Sequence, residues 1–373
     1  MSTKPPPTST AVAGALPESQ AWSDALTRSH SENFSVLSFL VPREDRAHFA
    51  AVYAFCRVAD DLADQTGNDA AARSKSLELL SAFRAEFIAT CPPSPQSPPC
   101  PPFPPVPASA PSANLSARSG LSTPSTTPRW PHLFTALAAT MRERQLPAEP
   151  FHLLLDAFEE DQHRTRYETW DQLVRYSAKS ANPVGHLVLM IFGYRPPLFP
   201  LSPPSSPSAS DAPSLNPSSP APANLAAASH AELFKASDDI CTALQLINFW
   251  QDVRRDLLER DRIYLPLAEM RVGNGVQGVS ESQVREWMAG PVDPAFGAAL
   301  MPLVLRTKAM FEAGRRIDAM LPRQHRRVIR LFSRGGEAIV EKVLAMNAAT
   351  LWSRPRLRGW EKALLVMREW VGW

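Results

Sequence analysis

Proline sets the first limit on this chain. Of its 373 residues 38 are proline, and a proline in a helix interior costs about 3 kcal/mol. The prolines are not spread evenly. Most fall in two blocks, 91–128 and 196–222, where they alternate with serine, threonine and alanine. Such stretches bury no core and read as two low-complexity surface insertions. A Pro/Ser/Thr-rich start over 1–20 reads as disordered for the same reason. The remainder, 21–352 outside the insertions, is long enough for one helical domain. Residues 353–373 follow as an amphipathic C-terminal helix.

Outside the proline blocks, apolar residues recur at helical intervals. The pattern predicts helices over Ser23–His30, onward to a stop at Pro42, then Arg43–Gln65, Asn68–Thr90, Arg129–Arg144 and Ala148–Glu160. Thr169–Tyr194 continues it, with Asn182-Pro183 expected to kink the helix and free backbone carbonyls beside a ligand cavity. Ala223–Arg260, Glu281–Ala289, Pro294–Met320, Arg323–Ala345 and a helix from about Leu357 complete the account. No convincing strand alternation is present, so the expected class is all-α.

A net charge of +2 excludes nucleic acid as the main partner. Cys56, Cys91, Cys100 and Cys241 show neither zinc spacing nor a disulfide framework, which points to a reducing, cytoplasmic location. No apolar run reaches about 18 residues, so no spanning helix is expected. The N-terminus lacks the apolar core of a secretory signal.

Two acid clusters carry the chemistry. Asp60, Asp61 and Asp64 lie in an otherwise apolar helix, with Arg57 one turn earlier on the same side. Asn248, Asp252 and Asp256 share one face of a helix far downstream. A single cluster would be read as a solvated face. Two of them in apolar surroundings suit Mg²⁺ held against a diphosphate, because hard cations take oxygen ligands.

These residues resemble the squalene/phytoene synthase family of head-to-head isoprenyl synthases. The resemblance rests on Tyr53-Ala54-Phe55-Cys56-Arg57 leading into Asp60-Asp61-Leu62-Ala63-Asp64, on the helix Asn248 to Asp256, and on Asp261-Arg262-Ile263-Tyr264-Leu265-Pro266. It runs from about Ala21 to Met346 outside the insertions. It implies a single-domain isoprenoid synthase-type bundle around a central cavity, with Asp60, Asp61, Asp64, Asp252 and Asp256 as Mg²⁺ ligands. Asn33, Phe34, Tyr53, Arg57, Asn248, Arg262 and Tyr264 would contact the substrate or its diphosphate. Phe34, Leu37, Phe55, Leu187, Met190, Phe249 and Val343–Leu351 would line the path of a carbocation.

Within the family the chain looks closest to the hydroxysqualene synthase branch. Glu32-Asn33-Phe34 stands where squalene and phytoene synthases usually show Ser-Phe. Squalene synthases also carry two tyrosines where this chain reads Tyr176-Ser177-Ala178-Lys179-Ser180-Ala181-Asn182-Pro183-Val184-Gly185. Tyr176 is kept and is a catalytic candidate, and Lys179 replaces the second tyrosine, which serves the condensation of two farnesyl diphosphates. The substitution favours an enzyme that receives presqualene diphosphate from a separate synthase and quenches the cation with water, with Lys179, Ser180 and Asn182 positioning the water. The substituted tyrosine and the lack of a nicotinamide fingerprint weigh against NADPH. The rival expectations are a squalene or phytoene synthase, and a non-catalytic assembly factor of the same fold. Leu357, Trp360, Leu364, Met367 and Val371 form a stripe edged by basic residues, which suits peripheral contact with a membrane and equally suits packing on the bundle.

Overall fold

The computed structural model describes residues 16–29, 40–64, 67–91, 129–196, 223–273, 275 and 277–371, without the side chains of 223–228 and 370–371. Its helices are α1 (Leu16–Ser29), α2 (Arg46–Asp64), α3 (Ala70–Thr90), α4 (Pro131–Arg144), α5 (Glu149–Glu160), α6 (Trp170–Ser180), α7 (Asn182–Ile191) and α8 (Ala223–Arg260). They continue as α9 (Glu281–Ala289), α10 (Pro294–Gly314), α11 (Ile317–Met320), α12 (Arg323–Ala345) and α13 (Gly359–Val371). A 3₁₀ turn at Arg43–Asp45 leads into α2.

Local chemistry sets many of these limits. Asp69, Thr169, Ser280 and Asp293 each accept a hydrogen bond from a backbone N–H of the helix that follows, so α3, α6, α9 and α10 start where a cap is available. α1 begins at Leu16, earlier than Ser23, so Leu16–Gln20 belong to the folded region. The expected helix over Pro294–Met320 is two, because the chain turns between Gly314 and Ile317. Thr169–Tyr194 is also two helices: Ala181 leaves helical geometry at φ −126°, and Pro183 sits in the first turn of α7. A proline fits there because its missing N–H would have had no helical partner. The insertions 92–128 and 197–222, and the expected helix before Pro42, lie outside the described residues.

One element was not expected. β1 (Arg166–Tyr167) and β2 (Ile263–Pro266) pair in parallel, and Ile263 N–H donates to Thr165 O at 2.8 Å. All four β2 residues are buried, so the sequence shows no alternation to read.

α8, about 57 Å long, is the spine; α6, α7, α10, α11, α12 and β2 all pack on it. Beside it Phe55, Phe83, Phe87, Phe134 and Phe151 join α2 to α5 with ring centroids 4.9–6.2 Å apart. Phe55 is therefore core, not cavity wall.

The turn after α12 presses its backbone against α10. Asn347 and Ala348 both take positive φ, 52° and 55°, and a Cβ on Gly297 would collide with the Asn347 carbonyl. Gly297→Ala is expected to cost about 1–3 kcal/mol and to lower Tm by several degrees. Gly335→Ala, a helical glycine with open space around its Cβ position, should be neutral or stabilising by up to about 1 kcal/mol. Equal effects of the two substitutions on Tm would refute this packing.

Candidate functional site

Along α2, Tyr53, Cys56, Arg57, Asp60, Asp61 and Asp64 form a half-buried stripe, while Ala54, Phe55, Ala59 and Ala63 are buried. A freely solvated face would be more open. Arg57 pairs with Asp61 and, at 3.4 Å, with Asp60. On α8 the acids face this stripe. Arg260 donates to Asp64 at 2.7 Å and lies 3.8 Å from Asp256, so one guanidinium bridges the two clusters. Asp252 is held by Arg354, one of the two contacts measuring 2.9 Å. The acid motifs thus meet in space.

Behind them sits a buried carboxylate. Asp161 accepts hydrogen bonds from Tyr176 at 2.7 Å and Tyr264 at 3.0 Å. Arg262 lies 3.6 Å from Asp161 and donates to Asp64 at 3.1 Å. This changes three expected roles. Tyr176 donates its hydroxyl to Asp161, and burial drives that hydroxyl well above the ordinary range, so in this arrangement it braces Asp161 and its ionised form is disfavoured. Arg262 and Tyr264 are buried and face Asp161, so they fix the acid helices instead of presenting themselves to a diphosphate.

The water-positioning candidates separate as well. Lys179 is paired with Glu160. Asn182 is buried and accepts from Thr242 at 3.0 Å. The Ser180 hydroxyl is buried and makes no hydrogen bond. It lines a cavity of about 220 Å³ between α6, α7, α8 and α12, walled by Ala181, Val184 and Val188 on one side and Ile240, Leu244 and Phe332 on others. Leu187 and Met190 point away from it, since they lie on the opposite face of α7. Gly185 lets α7 approach α8: a Cβ there would strike Ser237 and Cys241.

The cavity side of α8 runs Ser237, Ile240, Cys241, Leu244, Gln245. The same helical face continues through the exposed Asn248 to Asp252. One face of one helix therefore passes from apolar to acidic over about 20 Å. A larger groove of about 770 Å³ lies between α10, α12 and α13. Most of its charges are paired, Lys308 with Glu341, Arg315 with Glu337 and Arg330 with Asp318, and it adjoins neither acid cluster. Asn33, Phe34 and Leu37 lie outside the described residues.

Among the described residues no three His, Cys, Asp or Glu side chains form a ready metal cage. The donors still suit Mg²⁺, which binds a protein through one or two carboxylates and completes its shell with phosphate oxygens and water. Asp64 and Asp256 are carboxylates already sharing one cation, Arg260. Sequence spacing could have flagged Arg260, one turn after Asp256. Arg354 carried no such signal, because it reaches Asp252 only through the fold.

The sequence and the fold both have known relatives. The sequence profile described as squalene/phytoene synthase matches residues 27–361. The hydroxysqualene synthase of Rhodopseudomonas palustris is 26% identical over 288 residues, 77% of this chain and 70% of that enzyme. The phytoene synthase of Thermus thermophilus is 24% identical over 345 residues, 92% and 90% of the two chains. The crystal structure of squalene synthase HpnC from Alicyclobacillus acidocaldarius superposes with a TM-score of 0.59 at 30% identity, covering 89% of this chain and 95% of that one.

The charge balance at the site has a consequence for stability. Burial pushes the Asp256 carboxyl up to about 7 against the pull of Arg260, and Asp161 up to about 6 against Arg262 and the two tyrosines. Asp60 is also pushed up to about 6, first by burial and then by Asp64. Its side chain keeps 44% exposure, so water screens it and the two buried acids dominate. A carboxyl whose pKa is raised on folding stabilises the fold below its unfolded value, near 4, and that stability is lost as pH rises through the folded value. His48, His152 and His325 are lowered by burial and oppose this trend. Comparison with a variant isolates the acid: without divalent metal, the Tm of Asp256→Asn relative to wild type should rise between pH 5 and pH 8. A constant or shrinking difference would contradict the assignment.

Proposed function

The chain belongs to the squalene/phytoene synthase family, and we propose that within it the protein is a hydroxysqualene synthase. In this proposal it ionises presqualene diphosphate and lets water capture the cation, giving hydroxysqualene and diphosphate. The carrying observation is the α8 face that runs from the apolar Ile240 and Leu244 to the acid Asp252, with Arg260 tying Asp256 to Asp64 beside it. A prenyl diphosphate has that same polarity: a long apolar chain with an anionic head. The resemblance to the Rhodopseudomonas palustris hydroxysqualene synthase supports the choice within the family.

Asp60, Asp61 and Asp64 on α2 with Asp252 and Asp256 on α8 would hold Mg²⁺. When bound, the metal would supply a Lewis acid for the leaving diphosphate. The protein's own groups do the rest. Asp161, Tyr176 and Tyr264 hold Arg262 against Asp64, which fixes the α2 acids relative to α8. Arg57, Arg260 and Arg354, now paired with those acids, can turn to the diphosphate oxygens once cations replace them. The ester C–O bond breaks with its electrons leaving on the diphosphate. The apolar walls from Val184, Val188, Ile240 and Leu244 keep stray water from the cation.

Ser180 provides the quench. Ser180 lines the cavity and its hydroxyl has no hydrogen-bond partner, so on turning toward the substrate it would hold one water beside the cation, and that water adds its oxygen and gives its proton to the departing diphosphate. Lys179, held by Glu160, leaves no tyrosine at that point of α6. The place in metabolism that follows is triterpenoid, hopanoid-type synthesis, with presqualene diphosphate handed over by a separate synthase. NADPH has no part in this scheme.

The test incubates the purified protein with presqualene diphosphate or farnesyl diphosphate, with and without Mg²⁺ and NADPH, in ¹⁸O-labelled water. The expected outcome is a Mg²⁺-dependent alcohol from presqualene diphosphate carrying one labelled oxygen. A hydrocarbon formed from farnesyl diphosphate would instead make this a squalene or phytoene synthase, in line with the Thermus thermophilus relative. Absence of any diphosphate release would favour the non-catalytic assembly role. Asp60→Asn and Asp252→Asn should slow diphosphate release by about a hundredfold or more. Ser180→Ala should leave that release within a few-fold of wild type and shift product from alcohol to hydrocarbon; an unchanged product ratio would eliminate Ser180 as the water-holding group.

A further inference from the structure

α13 is a helix with its polarity inverted. Toward α12 it presents Glu361, Leu365 and Glu369: Glu361 pairs with Lys342 at 2.7 Å, and Glu369, 2% exposed, pairs with Arg334 at 2.6 Å. Leu365 and Val366 pack on the core beside them. Away from the bundle stand Trp360, 62% exposed, Ala363 and Met367, 53% exposed, at one-turn intervals. A helix that served only as a cap in water would bury the tryptophan and methionine and expose the glutamates. Here both acids face the protein, while Trp360 and Met367 face out. The other large apolar side chains open to solvent among the described residues, Ile88, Leu258, Val292 and Leu305, come from separate elements.

The surroundings of this face are basic. Arg356 and Arg358 are exposed just before the helix, and Arg368 is exposed beside Met367. The two ion pairs align α13 antiparallel to α12, which directs its far end toward Arg323, Arg326 and Arg327 in the first turns of α12. We propose that the outer face of α13 docks on an anionic lipid bilayer, with Trp360 and Met367 entering the headgroup boundary and the arginines meeting lipid phosphates. A second copy of the chain fits less well, because a two-fold pairing through this face would set one basic rim against the other. Among the described residues no helix is long and apolar enough to cross a membrane, so the contact is peripheral. This inference is independent of the chemistry at the acid site.

The experiment needs no substrate. The full chain is sedimented with vesicles of mixed phosphatidylglycerol and phosphatidylcholine, and with phosphatidylcholine alone, while light scattering after size exclusion gives its mass. Binding is expected to the anionic vesicles only, and to weaken with salt. Trp360→Ser with Met367→Ser should reduce the bound fraction about tenfold, with circular dichroism unchanged. Arg356→Glu with Arg358→Glu should reduce it without touching the apolar face. The proposal is overturned if the wild-type chain stays in the supernatant, or if binding survives loss of Trp360 and Met367. It is also overturned if those substitutions merely split a dimer that never bound vesicles.

Discussion

Asp64 and Asp256 are like charges brought side by side by two helices, and the fold around them supplies the cations that make this tolerable. Arg260 spans both acids, and Arg262 reaches Asp64 from 198 residues away in sequence. Burying Arg262 is costly unless its partners are complete. Asp161 meets that need, and Tyr176 and Tyr264 then satisfy Asp161. The small β1–β2 sheet holds the backbone of Tyr264, and Arg262 just before it is tied by its N–H to Asp256 O at 3.0 Å. The stacked rings of Phe249 and Tyr264, 4.1 Å apart, lock that backbone to α8.

The apolar end of the site depends on a different economy of space. Pro183 ends α6 and starts α7 afresh, and Gly185 lets α7 come close to Ser237 and Cys241 on α8. The break leaves Ser180 facing a cavity without a backbone or side-chain partner. Charge at one end and a mostly apolar pocket at the other are therefore properties of a single helix, α8, seen along one face.

Much of this was legible in the sequence, because helical period alone places Asp60 with Asp64 and Asn248 with Asp252 and Asp256. The limits of α8, α9 and α12 fell where the pattern put them, and the Asn182-Pro183 break fell beside a cavity as expected. What could not be read depended on distant partners. Tyr176 looked catalytic and Arg262 and Tyr264 looked like groups for the diphosphate, and only the fold shows that all three meet Asp161. Arg354 gave no local sign of its contact with Asp252. The β1–β2 pair was invisible because β1 has only two residues and the four of β2 are all buried, so neither carries a period. The direction of α13 was likewise undecidable: its apolar stripe fitted inward or outward packing until Glu361 and Glu369 were seen paired with α12.

The central claim is that the acids of α2 and α8 form one cation site for a diphosphate. Thermal unfolding with Mg²⁺ and inorganic diphosphate, singly and together, tests it without any turnover. Ligands that bind only the folded state raise Tm according to their affinity. The two together should raise Tm by more than the sum of their separate effects, and Asp64→Asn with Asp256→Asn should abolish the excess. No shift with the combined ligands, or the same shift in the double variant, would contradict the claim.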